Sequence, residues 1–176
     1  MTEEIRIGLH MRSLVRLAIL ILFIAAPVGA AAEKIMRIGL VSLPQDLGNP
    51  YGSYTIPTVT PGLAVFDSLT VVDIEGTLQP WIAERWESID PLTWHFTLKP
   101  NVTFSNGEPF DAAAAAAALN YFASGDGLIE VVAQSVIDVA SARAIDPLVL
   151  EVKTKAPNIL LPRRLSGIRI PAPGPW

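Results

Sequence analysis

The run Thr93-Trp94-His95-Phe96-Thr97-Leu98-Lys99-Pro100-Asn101-Val102-Thr103-Phe104-Ser105-Asn106-Gly107-Glu108-Pro109-Phe110-Asp111-Ala112 carries three structural signals in succession. Thr93 to Leu98 alternates strictly, which puts Trp94, Phe96 and Leu98 on one face of a strand and Thr93, His95 and Thr97 on the other. Asn106-Gly107 marks a tight turn, expected as type I′, in which both central residues need positive φ. Asp111 followed by seven consecutive alanines and Leu119 predicts an N-capped helix that ends by Ser124-Gly125, where glycine can take the left-handed position. An alanine face lets such a helix lie close against a sheet. Leu119, Tyr121 and Phe122 must then supply most of its grip.

Working outward, Ile89-Asp90-Pro91-Leu92 before that strand recurs as Ile145-Asp146-Pro147-Leu148 before Val149 to Thr154. Proline fixes its own φ and biases the preceding residue away from helix, so each Asp-Pro is expected to be a turn that feeds a strand of an antiparallel or mixed sheet. Leu148, Leu150 and Val152 are expected to face the core, Glu151 and Lys153 the water. Leu69 to Val72, Glu75-Gly76 and Leu78 read as a hairpin or meander. Trp81, Ile82, Ala83 and Trp86 form an aromatic–apolar knot, and packing of Trp81, Trp86 and Trp94 in a core is the expectation. Thr60-Pro61 reads as the start of a short helix that ends near Asp67 or Ser68, and Lys34 to Leu43 as a strand.

The first 32 residues read differently. Arg12 and Arg16 precede the charge-free run Leu17 to Ala26, and Pro27-Val28-Gly29-Ala30-Ala31-Ala32 follows. A basic segment, a short apolar segment and small residues at A-x-A positions match a secretory signal, cleaved after Ala30 or Ala32, with Met1 or Met11 as the start. The run falls short of the ~20 apolar residues that span a bilayer. Removal of residues 1–32 leaves ten basic and fifteen acidic groups among the rest. That acidic balance excludes a basic nucleic-acid binder. The absence of cysteine from the 176 residues excludes disulfides, thiolate nucleophiles and a lipid attached through an N-terminal cysteine. A soluble protein of the periplasm is the expectation.

Catalytic and metal signatures are missing. His10 goes with the signal, and His95 lies on a strand's polar face with no second His or Cys nearby, so neither a metal nor a cofactor is expected. No G-x-S-x-G, H-E-x-x-H, phosphate loop or dinucleotide fingerprint occurs. Glu84, Glu87 and Glu108 sit beside turns or helix ends, where carboxylates are solvated or capping. The loop around Leu47, Gly48, Asn49, Tyr51 and Tyr54 is the candidate binding element. Its tyrosines lie among Gly and Pro where no core strand or helix would bury them, and tyrosine offers a flat apolar face with a hydroxyl. Packing of both rings under their own loop is the alternative for the same residues.

The order of elements resembles the family 5 extracellular solute-binding proteins, the peptide- and nickel-binding subunits of ABC importers. The resemblance rests on Val65-Phe66-Asp67-Ser68-Leu69, on Gly76-Thr77-Leu78-Gln79-Pro80-Trp81-Ile82-Ala83-Glu84 with Trp86-Glu87, on Trp94 to Ala112, on Lys155-Ala156-Pro157 and on Ile168 to Gly174. It implies an α/β fold of mixed α+β content, like a type II periplasmic binding protein, with a mixed sheet and flanking helices. It also implies a two-lobed receptor that closes on a small peptide or similar solute and docks, as a monomer, on membrane permease subunits while a separate ATPase powers transport. Residues 33–176 are then expected to be the N-terminal part of the binding domain, belonging to the first lobe only, in a truncated chain. Ser166 stands where the resemblance implies an arginine contacting the chelated metal in nickel binders, which disfavours nickel. Two other readings compete: a secreted enzyme using His95, and a non-functional remnant.

Overall fold

The computed structural model describes residues 35, 37, 39, 49–52, 55–124 and 126–173. The chain divides into two compact units, Met1–Gly39 and Leu40–Trp176, and the architecture below is that of the second. The expected signal (1–32), Leu47, Gly48, Tyr54 and Gly125 lie outside the described residues. So does most of the strand expected over 34–43, within which Ile35, Arg37 and Gly39 carry no regular structure.

Helix α1 runs Ile56–Val65, with Thr55 at its N-cap and a proline in its first turn. The sequence expectation placed this start at Thr60-Pro61. The same rule applies five residues earlier, at Thr55-Ile56-Pro57, and Pro61 falls inside the helix, where it removes one backbone donor. Strands β1 (Thr70–Val72) and β2 (Leu78–Pro80) form an antiparallel hairpin. Gly76 turns it at φ 80°, and Asp73 Oδ1 accepts from the backbone N–H groups of Glu75 and Thr77 at 3.1 and 2.7 Å.

The main sheet is a doubled hairpin. Strands β3 (Ala83–Asp90), β4 (Thr93–Leu98), β5 (Val139–Asp146) and β6 (Val149–Thr154) are arranged in the order β3-β4-β6-β5, every pair antiparallel. The two Asp-Pro-Leu segments are its hairpin turns. Asp90 Oδ1 accepts from the Leu92 N–H at 2.8 Å, and Asp146 Oδ1 from the Leu148 N–H at 3.1 Å. Each side chain thus mimics a backbone turn. The likeness extends through both strands. Ala83–Leu98 and Trp86–Phe96 in the first hairpin match Val139–Thr154 and Ala142–Val152 in the second, and the register shifts fall at equivalent places. His95 and Glu151, 56 residues apart, are equivalent positions that also pair across the centre, so an approximate twofold axis of the sheet passes through them.

Strand β3 escapes sequence reading because one residue of its eight is buried and charged side chains interrupt any alternation. The expected aromatic knot is instead a bend leading into it. Ile82 and Ala83 are buried and Trp86 packs on the core, but Trp81 is 47% exposed. Its indole N–H donates to Asp67 Oδ1 at 2.7 Å, which takes it out of the expected core role. The turn before the next helix also differs from expectation. Phe104 O accepts from the Gly107 N–H, Phe104 N–H donates to Glu108 O, and of the Asn106-Gly107 pair Gly107 alone has positive φ, at 87°. This is a tight turn closed by a left-handed glycine rather than type I′.

Helix α2 (Ala112–Tyr121) is capped as expected, with Asp111 Oδ1 accepting from the Ala114 N–H at 2.8 Å. Ala112, Ala115, Ala116 and Leu119 form its buried stripe at i, i+3, i+4 and i+7. They join Phe96, Leu98, Leu150 and Val152 in one core cluster. Asn120 then takes both backbone groups of Ala142 on edge strand β5: its Nδ2 donates to Ala142 O at 2.7 Å and its Oδ1 accepts from the Ala142 N–H at 2.8 Å. That covers part of an edge otherwise open to strand pairing. Two 3₁₀ segments, Gly127–Ile129 and Val131–Val136, lead into β5. A short helix α3 (Leu161–Arg164), a 3₁₀ turn (Leu165–Gly167) and an extended strap, 168–173, complete the unit.

Candidate functional site

Val59, Leu63 and Phe66 recur at i, i+4 and i+7 and so share one side of α1 and its C-cap. They wall a cavity of about 140 Å³ that is completed by Ser68, Ser166, Gly167 and Arg169. The 3₁₀ turn delivers Ser166 and Gly167 to it, and the strap delivers Arg169. Ser68 Oγ donates to Thr70 O and Ser166 Oγ to Arg163 O, each at 2.7 Å. With those protons used, each hydroxyl has acceptor lone pairs left to offer. The apolar wall suits a hydrocarbon surface, and the hydroxyls suit N–H donors.

Arg169 is 6% exposed. Its Nη1 donates to Pro50 O at 2.9 Å, and its guanidinium lies over Gly62 on α1, so close that a Cβ placed there would stand 3.0 Å from Cζ and Nε. Directly beyond it, Ile170 N–H donates to Asp67 O at 2.9 Å. The strap is thereby held against α1 at Gly62 and just past the helix end at Asp67.

Of the binding residues expected from sequence, Asn49 and Tyr51 are described. Asn49 is half-buried. Its Oδ1 accepts from the Tyr51 N–H at 2.9 Å, and its Nδ2 donates to both oxygens of the Glu130 carboxylate at 3.3 and 3.4 Å. Tyr51 is 1% exposed, against the expectation of a ring left uncovered by core elements. It stacks on Tyr121 with ring centroids 5.7 Å apart and meets Phe122 edge-on at 4.7 Å. The C-terminal end of α2, which the sequence does not connect to this loop, is what buries it. Burial, with the Tyr121 phenol and the Glu130 carboxylate adding to it, pushes its phenol far above the usual range. Tyr121 OH donates to Glu130 Oε1 at 3.1 Å, and desolvation followed by that bond raises its pKa as well.

A second depression of about 230 Å³ lies between α2 and the strap, where Ala114, Ala117 and Ala118 leave room beneath Pro171, Ala172 and Pro173, with Tyr51 and Tyr121 at its end. Among the described residues no group of three or more His, Cys, Asp or Glu is placed to hold a metal. Glu151, expected to face water, is 7% exposed because its neighbours close over it. Arg143 Nε donates to its Oε1 at 2.6 Å, His95 Nε2 stands 3.3 Å from its Oε2, and Lys153 Nζ is 4.0 Å away. The Arg143 bond is the main cause that holds the Glu151 carboxyl below its ordinary value, with His95 adding to it. His95 is thus one of the side chains that close over Glu151 across the sheet.

The cavity side of α1 was legible in the sequence as the spacing Val59, Leu63, Phe66. A helix starting at Pro61 leaves Val59 outside it, whereas the helix begins at Ile56. Ser166 has no signal of its own in the sequence beyond the family resemblance.

Residues 77–174 match the family described as "Bacterial extracellular solute-binding proteins, family 5 Middle". The nickel-binding periplasmic protein of Escherichia coli is 51% identical over 53 residues, 30% of this chain and 10% of that protein. The periplasmic oligopeptide-binding protein OppA of Salmonella typhimurium is 30% identical over 110 residues, 57% of this chain and 20% of that protein. In three dimensions the OppA of Burkholderia pseudomallei superposes with TM-score 0.57 at 27% identity, over 69% of this chain and 27% of its own. The matched stretches are therefore a quarter or less of these relatives in sequence, and about a quarter in structure. These two curated relatives are named for the solutes they bind, nickel and oligopeptides.

Proposed function

The chain belongs to the family 5 bacterial extracellular solute-binding proteins, and on that premise we propose that it binds a small peptide for an ABC importer in the periplasm and presents it to permease subunits. The observation that carries the reading is the α1 cavity, where an apolar wall of Val59, Leu63 and Phe66 faces the hydroxyls of Ser68 and Ser166. A peptide offers what these groups accept: main-chain N–H donors for the hydroxyls and side-chain hydrocarbon for the wall. Contact of Leu47, Gly48, Asn49 and Tyr54 with the same solute is part of this proposal, with Tyr51, buried against Tyr121 and Phe122, as an anchor between them.

The test is calorimetric titration of the chain with tetra-alanine. Saturable binding that Val59→Asp weakens at least tenfold, with an unchanged melting temperature in the absence of peptide, supports the reading. No heat with tetra-alanine or longer peptides refutes it. Binding by these 176 residues would also exclude a non-functional remnant. Chelated nickel is the second reading, favoured by the 51% identity with the nickel-binding relative and opposed by a serine at position 166. Titration with the nickel–histidine complex decides between them.

A further inference from the structure

We infer that Arg169 is the positioning residue of the solute site, a clamp that fixes the binding loop to α1. The inference rests on the reading of the α1 cavity as that site. Three separate chain segments meet at its guanidinium. Pro50, in the loop, supplies the carbonyl that accepts from Nη1 at 2.9 Å. Gly62, in the middle of α1, supplies a surface without a side chain, against which Cζ and Nε lie. The strap that carries Arg169 is continuous with Ser166 and Gly167 on the opposite wall, and its next residue bonds to Asp67 just past the end of α1.

The geometry explains why a glycine is used at 62. It stands three residues after Val59 and one before Leu63, on the side of the helix that faces the cavity. Any side chain there would meet the guanidinium within 3.0–3.3 Å, so the planar group could not lie flat on the helix and still reach Pro50. Arginine suits the place because its rigid fork can donate in one direction while its face packs in another. The bond to Pro50 is charge-assisted and buried, which makes it stronger than an exposed equivalent. Tyr51, the residue after Pro50, is held from the other side by Tyr121 and Phe122. The loop is therefore fixed at two adjacent residues, one gripped by the strap and one by α2.

A clamp differs from a general contributor to stability in where its loss is felt. Amide hydrogen exchange of the full chain reads this directly. Arg169→Met is expected to raise exchange at Tyr51 and Gly52 about tenfold, the scale of one lost charge-assisted bond, while the amides of 83–98 and 139–154 stay as protected as before. Gly62→Ala is expected to act at the same amides. The double variant should exchange no faster than Arg169→Met alone, because the added methyl has nothing left to displace. Arg169→Lys, which can still donate to Pro50, should restore part of the protection. The inference is overturned by unchanged exchange at Tyr51 and Gly52 in Arg169→Met, by additive effects in the double variant, or by an equal rise across the sheet. A second arm measures tetra-alanine affinity of Gly62→Ala, expected to fall several-fold. Failure of the unsubstituted chain to bind tetra-alanine would refute the peptide reading and leave the exchange result to decide the clamp.

Discussion

Replacing Asn120 by alanine sets two known effects against each other. Alanine is the better helix former by about 0.6 kcal/mol, so on propensity alone Asn120→Ala would stabilise the protein. Against this stand the two bonds to the backbone of Ala142, at 2.7 and 2.8 Å. At about 1 kcal/mol each their loss costs ~2 kcal/mol. The net is a destabilisation of about 1.4 kcal/mol, close to a tenfold shift in the folding constant. For a chain of this size that lowers the melting temperature by roughly 3–6 °C. Urea unfolding followed by circular dichroism measures it, with Ala117→Asn as the control, since Ala117 is exposed on the same helix and lies away from the bonds to Ala142. Asn120→Asp should be worse than alanine, because it removes the donor and turns a carboxylate towards Ala142 O. An Asn120→Ala protein as stable as the parent, or more so, would show that water replaces the two bonds without loss, and the account of how α2 covers the sheet edge would fall.

Gly107→Ala forces a residue with a Cβ to φ 87° and should cost about 1–2 kcal/mol, whereas Gly167→Ala, with open space and no positive φ, should cost less; thermal unfolding compares them. The Glu151 carboxyl is held below its ordinary value by Arg143, so its stabilising contribution is complete above the ordinary carboxylate pKa and is lost as pH falls through the lowered folded value. Stability should therefore decline below about pH 4.5, less steeply in Glu151→Gln, with a residual slope from Asp73, which the Gln79 side-chain amide and the Thr77 N–H hold low, and from Asp90, which the Leu92 N–H holds low. The Glu151 part should shrink in high salt because Arg143 is exposed; a slope unaffected by Glu151→Gln would refute it. Tyr51→Ala should lower the melting temperature markedly, by the 3–5 kcal/mol scale of a large buried ring, and a change confined to ligand affinity would show instead that the ring serves the solute.

The sequence by itself determined the parts that depend on neighbours along the chain. Alternation from Thr93 to Leu98 specified β4, Asp111 and the alanine run specified α2, and the repeated Asp-Pro-Leu specified two turns that each feed a strand, because pleat, capping and proline sterics act within a few residues. Family membership was legible too, since it resides in the order of such segments. Tertiary structure alone decided the rest. Strand β3, whose three apolar residues Ala83, Trp86 and Ile89 follow no alternation, is a strand because β4 offers it an edge. Tyr51 is buried because α2 ends beside its loop. Glu151 is covered because β4 and β5 bring His95 and Arg143 across it. The cavity exists only where α1 meets a strap more than a hundred residues away, and contacts at such separations leave no period in the sequence to read.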